Sequence, residues 1–485
     1  MNQSMDYQTQ LKSQAVLLLQ PSATLAAVST CTLWFAWRLW KFTIAPNIYP
    51  MKPKELPYLI PYVGHALPFF RDSYQIFEKG RNSQEPYSIT VAGKVIYVIT
   101  APEDLANMYK QTTDISWTRF IQELYRWMGI SQYNMEKLWK TPTKETRLSH
   151  PIRKHPPNDM IEEYQFHQLL PGEKLDHISK QFVDLVDQKL RLEYLGKNCP
   201  YVLESSPDSI KISVIDWTSD VFIRATTEIY WGKSIWKIAP SLMESFLTWE
   251  KTSWKYIFQL PQFLSGDMYA ARAQLVDAFT AYFGQPKEKR EDANYFVKAA
   301  EEELRDIAIN EHDIGKIHML QHWAVNGNVH KVTFWIFAYL VHNPELLESI
   351  RAEITPGVIN DVPNVSYLVD NSPRLDAVWL EVLRLETSSS LMRYVTEATV
   401  IGGKTFEKGN NVMVPYRLFH FEEDVWGRDA SQFDVSLDGA GLGDNSLDEQ
   451  VQRFPRAELS RPGLATLSPV AGDKLVLRLK PRRRK

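Results

Sequence analysis

Residues 379–436 read WLEVLRLETSSSLMRYVTEATVIGGKTFEKGNNVMVPYRLFHFEEDVWGRDASQFDVS. In the first eight letters Glu381 and Arg384 stand three apart, so on a helix they share one face. A carboxylate and a guanidinium buried together can brace a core, although their net contribution to stability is small. The spacing alone decides nothing, because Glu78, Glu123, Glu302, Glu348 and Glu458 also have an arginine three residues on. What singles out Glu381 is its context. A helical pattern leads into it, and short strand-like runs follow, ATVIGGKTF from Ala398 and NNVMVPY from Asn410, with DKLVLRL from Asp473 near the end.

Upstream the pattern is helical for a long way. LDHISKQFVDLVDQKLRLEYL, SVIDWTSDVFIRATTEIYWG and DMYAARAQLVDAFTAYFG carry apolar residues at three- and four-residue spacing, and Gly232 and Gly284 stand where C-terminal caps belong. Asp313 to Leu347 continues as one very long helical pattern that closes near Asn343-Pro344. Asn326-Gly327-Asn328 interrupts it, and a mid-helix glycine costs about 1 kcal/mol against alanine. Either a large flat group passes close to the backbone at Gly327, or another helix packs there. Closer to the N-terminus, Tyr87 to Thr100 alternates around Ala92-Gly93-Lys94 as a β-hairpin, and Pro102 opens a helix. The sum is a mainly α body with a small β part.

The composition allows a large core: 44% of the 485 residues are hydrophobic, with 15 Trp. The net charge of −3 gives no field for nucleic acid, and the basic run Lys480 to Lys485 reads as a solvated terminus. Two cysteines, Cys31 and Cys199, exclude a disulfide framework and any cysteine-rich zinc site. Residues 1–22 read as an N-terminal tail. Residues 23–44 are apolar apart from Arg38 and Lys41, end in a cluster of Trp34, Trp37 and Trp40, and approach the ~20 residues that a spanning helix needs. The cations on its C-terminal side put the main body in the cytosol. Residues 45–70, with Pro46, Pro50, Pro53, Pro57, Pro61 and Pro68, read as a stiff extended arm.

In their order these features resemble the cytochrome P450 family, from the N-terminal apolar run to about Ser436. The likeness is to the branch that contains prostacyclin synthase, the sterol 7α-hydroxylases and fungal secondary-metabolite members. In that branch the central helix carries Gly-Asn ahead of a Phe-Trp pair, here Gly327, Asn328, Phe334 and Trp335. The resemblance implies a P450-like fold over residues 71–485 behind a transmembrane helix, with haem b as the cofactor. It implies that Glu381 and Arg384 form the core pair that supports the haem. Arg393 would face a haem propionate, a role that suits the fixed fork of a guanidinium. Gly327 and Asn328 would line the distal, catalytic side, and His420 to Phe433 (HFEEDVWGRDASQF) corresponds to the meander before the haem loop. The implied activity is a membrane-anchored haem-thiolate monooxygenase of the endoplasmic reticulum, single-pass with a cytosolic body. It would oxidise a lipophilic small molecule in terpenoid or polyketide secondary-metabolite biosynthesis, supplied by an NADPH-cytochrome reductase.

Two departures shape that expectation. Many monooxygenases of the family have an acid and a threonine where this chain has Gly327 and Asn328, and an asparagine cannot release a proton at neutral pH. A haem-dependent isomerase or dehydratase is therefore an alternative. The second departure concerns the iron ligand. The family's haem loop reads F-x-x-G-x-x-x-C-x-G, whose thiolate binds iron, and no such string occurs here. Instead SLDGAGLGDNSLDEQ follows Val435, and the loop and the helix after it are missing near 437–453. Cys199, His322, His330 and His420 are read as structural, so no metal ligand is assigned. A haem-free protein that keeps the fold, or a misplaced intron boundary, accounts for such a block.

Overall fold

A computed structural model describes residues 24–81, 84–143, 155–190, 192–195, 199–206, 209–360, 362–435, 453–460 and 465–479. Two compact units divide the chain. The first comprises residues 1–69, 76–116 and 392–414, and the second 70–75, 117–391 and 415–485.

The first unit is built on a six-stranded sheet ordered Lys54–Glu55, Tyr87–Val91, Lys94–Val98, Asn411–Pro415, Ser390–Val395, Ile115–Ser116. The expected hairpin is present, with Tyr87 opposite Val98 and Val91 opposite Lys94. Ala92 and Gly93 take φ of 48° and 79°, the two left-handed residues of a tight turn whose twist matches the strands. Pro102 opens the helix Pro102–Lys110. Thr399–Ile401 and Lys404–Phe406 pair as a second hairpin.

Chain from residue 24 is helical up to a π-helical stretch, Trp40–Ile44. No helix among the described residues is long and apolar enough to cross a membrane, so the expected spanning helix over 23–44 is not supported. Its regular α-helical part runs only from residue 24 to residue 39, where the π-helical stretch begins, and its second half carries the two cations. Lys41 pairs with Glu55 at 3.0 Å and donates to the Tyr58 hydroxyl at 2.6 Å, while Arg38 donates to the Tyr58 carbonyl. Trp34 Nε1 donates to the Leu59 carbonyl at 2.7 Å. These groups face the proline arm, which is itself extended only in part: Ala45–Ile48 is helical, with Pro46 in its first turn, where a missing N–H costs nothing.

The second unit is mainly helical: α1 (Pro157–Leu169), α2 (Glu173–Leu190), α3 (Val214–Trp231), α4 (Leu242–Ile257), α5 (Gly266–Phe283), α6 (Tyr295–Asp306), α7 (Glu311–Asn326), α8 (Val329–His342) and α9 (Pro373–Glu386). One core cluster joins α4, α5, α6 and α7 around Trp231, Phe246, Trp249, Phe279 and Phe296. Another joins α3, α8 and α9 around Val221, Phe334, Trp335, Val378 and Val382. A three-stranded sheet sets Ser209–Ser213 between Val202–Ser206 and Val476–Leu479, with Val476 opposite Ser213.

Gly232 ends α3 with φ 76°, as its cap position predicts. A Cβ there would lie 2.0 Å from Asp292 Oδ1, and Asp292 Oδ2 accepts from Lys233 N at 2.7 Å. Gly232→Ala is expected to lower stability by about 2 kcal/mol, from the left-handed backbone and the lost Asp292 contact, measurable by urea unfolding. An unchanged midpoint would show that the turn relaxes freely.

The long central pattern is two helices, not one. The chain leaves helical geometry at Asn328, with φ −123° and ψ −44°, between α7 and α8. At Gly327 the atoms nearest to a Cβ all belong to Trp323, its carbonyl oxygen at 3.0 Å. The glycine therefore spares the preceding turn of its own helix, and among the described residues no second helix approaches as closely.

Candidate functional site

Arg384 sits on the buried face of α9 and is the most heavily bonded residue of the site. It grips Glu381 with two parallel bonds, Nε to Oε2 at 2.8 Å and Nη2 to Oε1 at 2.6 Å. Its remaining N–H groups donate to three carbonyls of the downstream segment: His420 at 2.8 Å, Ala430 at 2.5 Å and Gln432 at 3.1 Å. Glu381 Oε1 in turn accepts from Asp434 N at 3.1 Å. The guanidinium lies over Trp426, 5.0 Å from the ring centroid. Five donors in a rigid fork satisfy a carboxylate and a coiled stretch of backbone together, which no lysine could do. Arg417 adds a bond to the Leu385 carbonyl at 2.7 Å.

Gly327 and Asn328 lie at the junction of α7 and α8, in the same unit as this clamp. Asn328 Oδ1 accepts from Thr466 N at 3.2 Å. Arg393 belongs to the first unit, half-buried on the strand Ser390–Val395, where Nη1 donates to the Met392 carbonyl at 3.3 Å. The structure thus gathers four of the five expected residues in one unit and puts Arg393 in the other.

Three features of this region went unread in the sequence. Lys331, only 2% exposed, pairs with Glu250 of α4 and donates to the Thr466 carbonyl at 3.3 Å. Trp335 Nε1 donates to the Leu467 carbonyl at 2.9 Å. Tyr339 stacks on Phe433 with centroids 4.0 Å apart and donates to Glu386 at 2.8 Å. Burial raises the Glu386 carboxyl above the usual carboxylate range. The one available signal was Lys331, a cation inside the apolar run VHKVTFWIFAYL.

The resemblance to cytochrome P450 implies a haem, so the residues must be weighed as its host. The donor set does not fit. Cys31 is exposed in the first unit, and Cys199 sits partly buried with Sγ 3.5 Å from the Tyr194 carbonyl. Residues 436–452 lie outside the described residues and contain no Cys, His, Met or Tyr. His322 Nε2 is 2.9 Å from the Thr227 hydroxyl, and His330 Nδ1 is 3.1 Å from the Asn326 carbonyl, so each ring is engaged within its own core. Among the described residues no cluster of three His, Cys, Asp or Glu could hold a metal ion. The segment that the resemblance sets before a haem loop is clamped, and among the described residues no cysteine follows it.

Comparison with known proteins agrees with this geometry. The cytochrome P450 family model matches residues 220–436. A cytochrome P450 monooxygenase of Penicillium oxalicum, poxD, is 23% identical over 388 residues, covering 78% of this chain and 75% of its own. Mouse cytochrome P450 7B1 is 20% identical over 77% of this chain and 72% of its own. Among solved structures, retinoic acid-bound cyanobacterial CYP120A1 aligns with a TM-score of 0.55 at 18% identity, over 79% of this chain and 81% of that one, a likeness of fold. Together with the Arg384 clamp, these matches support a cytochrome P450, with the family model covering residues 220–436.

Proposed function

We propose that this chain is a monooxygenase-type cytochrome P450 whose substrate is a lipophilic small molecule, a terpenoid or polyketide of secondary-metabolite biosynthesis. The observation that carries the reading is the Glu381–Arg384 clamp, whose three donors not held by Glu381 go to the carbonyls of His420, Ala430 and Gln432 on the approach to a haem loop. The fungal monooxygenase relatives support it. In this reading residues 71–485 are the catalytic body, Gly327 and Asn328 border the substrate, and Arg393 offers its fork to a carboxylate of the cofactor. Electrons come from an NADPH-cytochrome reductase at the endoplasmic reticulum. Association with that membrane is supported by the exposed Leu25, Leu33, Phe35, Trp40, Leu59 and Leu67 of the first unit, since exposed apolar surface marks membrane or protein contact.

Oxygen insertion in this reading requires a thiolate segment that the 485 residues do not carry. The test is the transcript between the codons for Ser436 and Phe454. An in-frame stretch encoding F-x-x-G-x-x-x-C-x-G is expected there, and the chain carrying it should give the carbon monoxide band of thiolate haem. A chain so restored that gives no such band overturns the reading.

For the 485 residues as they stand, the missing axial donor favours a second reading, a haem-free protein that keeps the fold. A carbon monoxide band of thiolate haem from this unextended chain would overturn that reading.

A further inference from the structure

We propose that residues Ala465–Leu467 act as an internal strap that closes, with the chain's own backbone, the space beside Asn328 that the resemblance assigns to haem, and that Lys331 is its principal fastener. This rests on the haem-free reading and gives it a physical basis.

Both edges of the strap are bonded. Towards α8, Thr466 N donates to Asn328 Oδ1, the Thr466 carbonyl accepts from Lys331 Nζ, and the Leu467 carbonyl accepts from Trp335 Nε1. Towards the end of α9, Leu467 N donates to the Glu386 carbonyl at 2.9 Å and Ser388 N donates to the Ala465 carbonyl at 2.8 Å. Thr387 and Thr466 form an antiparallel bridge. One strand's width of backbone therefore spans from the Asn328–Trp335 face of α8 to residues 386–388. Thr466, Leu467 and Trp335 are 2%, 2% and 0% exposed. A planar group could enter between α8 and residues 386–388 only by breaking these bonds and leaving buried N–H and C=O groups unpaired.

Lys331 explains why the closed form holds. An ammonium is strongly hydrated, and burying it costs several kcal/mol unless a partner carboxylate and further acceptors replace the water. Glu250 supplies the carboxylate and the Thr466 carbonyl supplies a further acceptor. Removal of the strap would leave the ammonium short of an acceptor in the core, so the ion pair and the strap support each other. Phe454, close to the strap in sequence, extends the cover by stacking on Trp335 with centroids 6.0 Å apart.

The test uses the full 485-residue chain, expressed with a supply of haem precursor. Haem is quantified by the pyridine haemochrome, and amide exchange is followed by mass spectrometry on peptides spanning Ala465 to Val470. Far less than one haem per chain is expected, with the strap amides protected. In the double variant Lys331→Met with Glu250→Met, which leaves no buried charge unpaired, exchange of these peptides should quicken by about tenfold or more, the equivalent of one charge-assisted hydrogen bond. Peptides from α5 and α7 should keep their protection, which separates a loosened strap from general destabilisation. Strap amides that exchange at unprotected rates in the unaltered chain would sink the strap and leave the haem-free reading standing. Stoichiometric haem in the unaltered chain would sink that reading and the strap with it.

Discussion

Arg384→Ala is expected to lower unfolding stability by about 3–5 kcal/mol, because it leaves a buried carboxylate without its cation. Glu381 is 9% exposed and retains only Asp434 N as a partner among the bonds described above. The carbonyls of His420, Ala430 and Gln432 lose their shared donor at the same time. Arg384→Lys should recover little of the loss, since an ammonium cannot donate in the plane of a fork to a carboxylate and three carbonyls together. The paired replacement Glu381→Leu with Arg384→Leu separates the two contributions. If the ion pair were the whole effect, the double variant would be near neutral. We expect it to remain destabilised by roughly 2 kcal/mol, because unpaired buried carbonyls persist whatever becomes of the charges. Urea unfolding followed by fluorescence measures both. A double variant as stable as the parent would refute the backbone role of Arg384.

Acid should unfold this protein between pH 6.5 and pH 4, where the histidines of the unfolded chain take up protons. Burial holds the imidazoles of His318 and His322 down at about 3 and that of His330 at about 4, against 6.5 for an unburied histidine. His318 is walled by Phe283, Trp231 and Phe296, and neither ring nitrogen has a hydrogen-bond partner. Its nearest charges are Glu301 and Arg290, which oppose each other. The Thr227 hydroxyl faces His322, and Lys331 and Glu250 lie close to His330. The sign follows from proton counting. Below pH 6.5 the unfolded chain binds protons that the folded chain refuses, so stability is complete above that pH and falls as pH drops. By pH 4 the loss is about 3 kcal/mol for each histidine, and the three together rival the whole stability of a typical fold. Circular dichroism across pH 7 to 4 should show cooperative unfolding between those limits. His318→Leu, which fills the same aromatic box with no group to protonate, should shift the midpoint to lower pH. An unmoved midpoint would show that this imidazole does not govern acid sensitivity.

The periodic parts of the fold were legible in the sequence. The hairpin at Tyr87–Val98, the helix opened by Pro102, the caps at Gly232 and the strands after Ala398 follow from local rules, and all occur where the letters put them. The junction of α7 and α8 was visible as a disturbance at Asn326-Gly327-Asn328, but the letters could not say that the helix stops there and restarts. The N-terminal run, whose expected spanning helix is not supported among the described residues, is a related case. Hydropathy counts Arg38 and Lys41 as two cations near the end of an apolar stretch, whereas in the fold both are bonded to Tyr58 and occupied by the arm.

By itself the sequence determined the succession of helices and strands, the shared face of Glu381 and Arg384, and the lack of a cysteine where a haem loop would carry one. Only the tertiary structure decided what those groups meet. Arg384 finds carbonyls 36 to 48 residues away, and Lys331 finds a carboxylate 81 residues back and a carbonyl 135 residues on. Side-chain periodicity is a property of neighbouring residues and can be read along the chain. The partner of a buried charge depends on which distant segments the core brings together, and no local pattern records that choice.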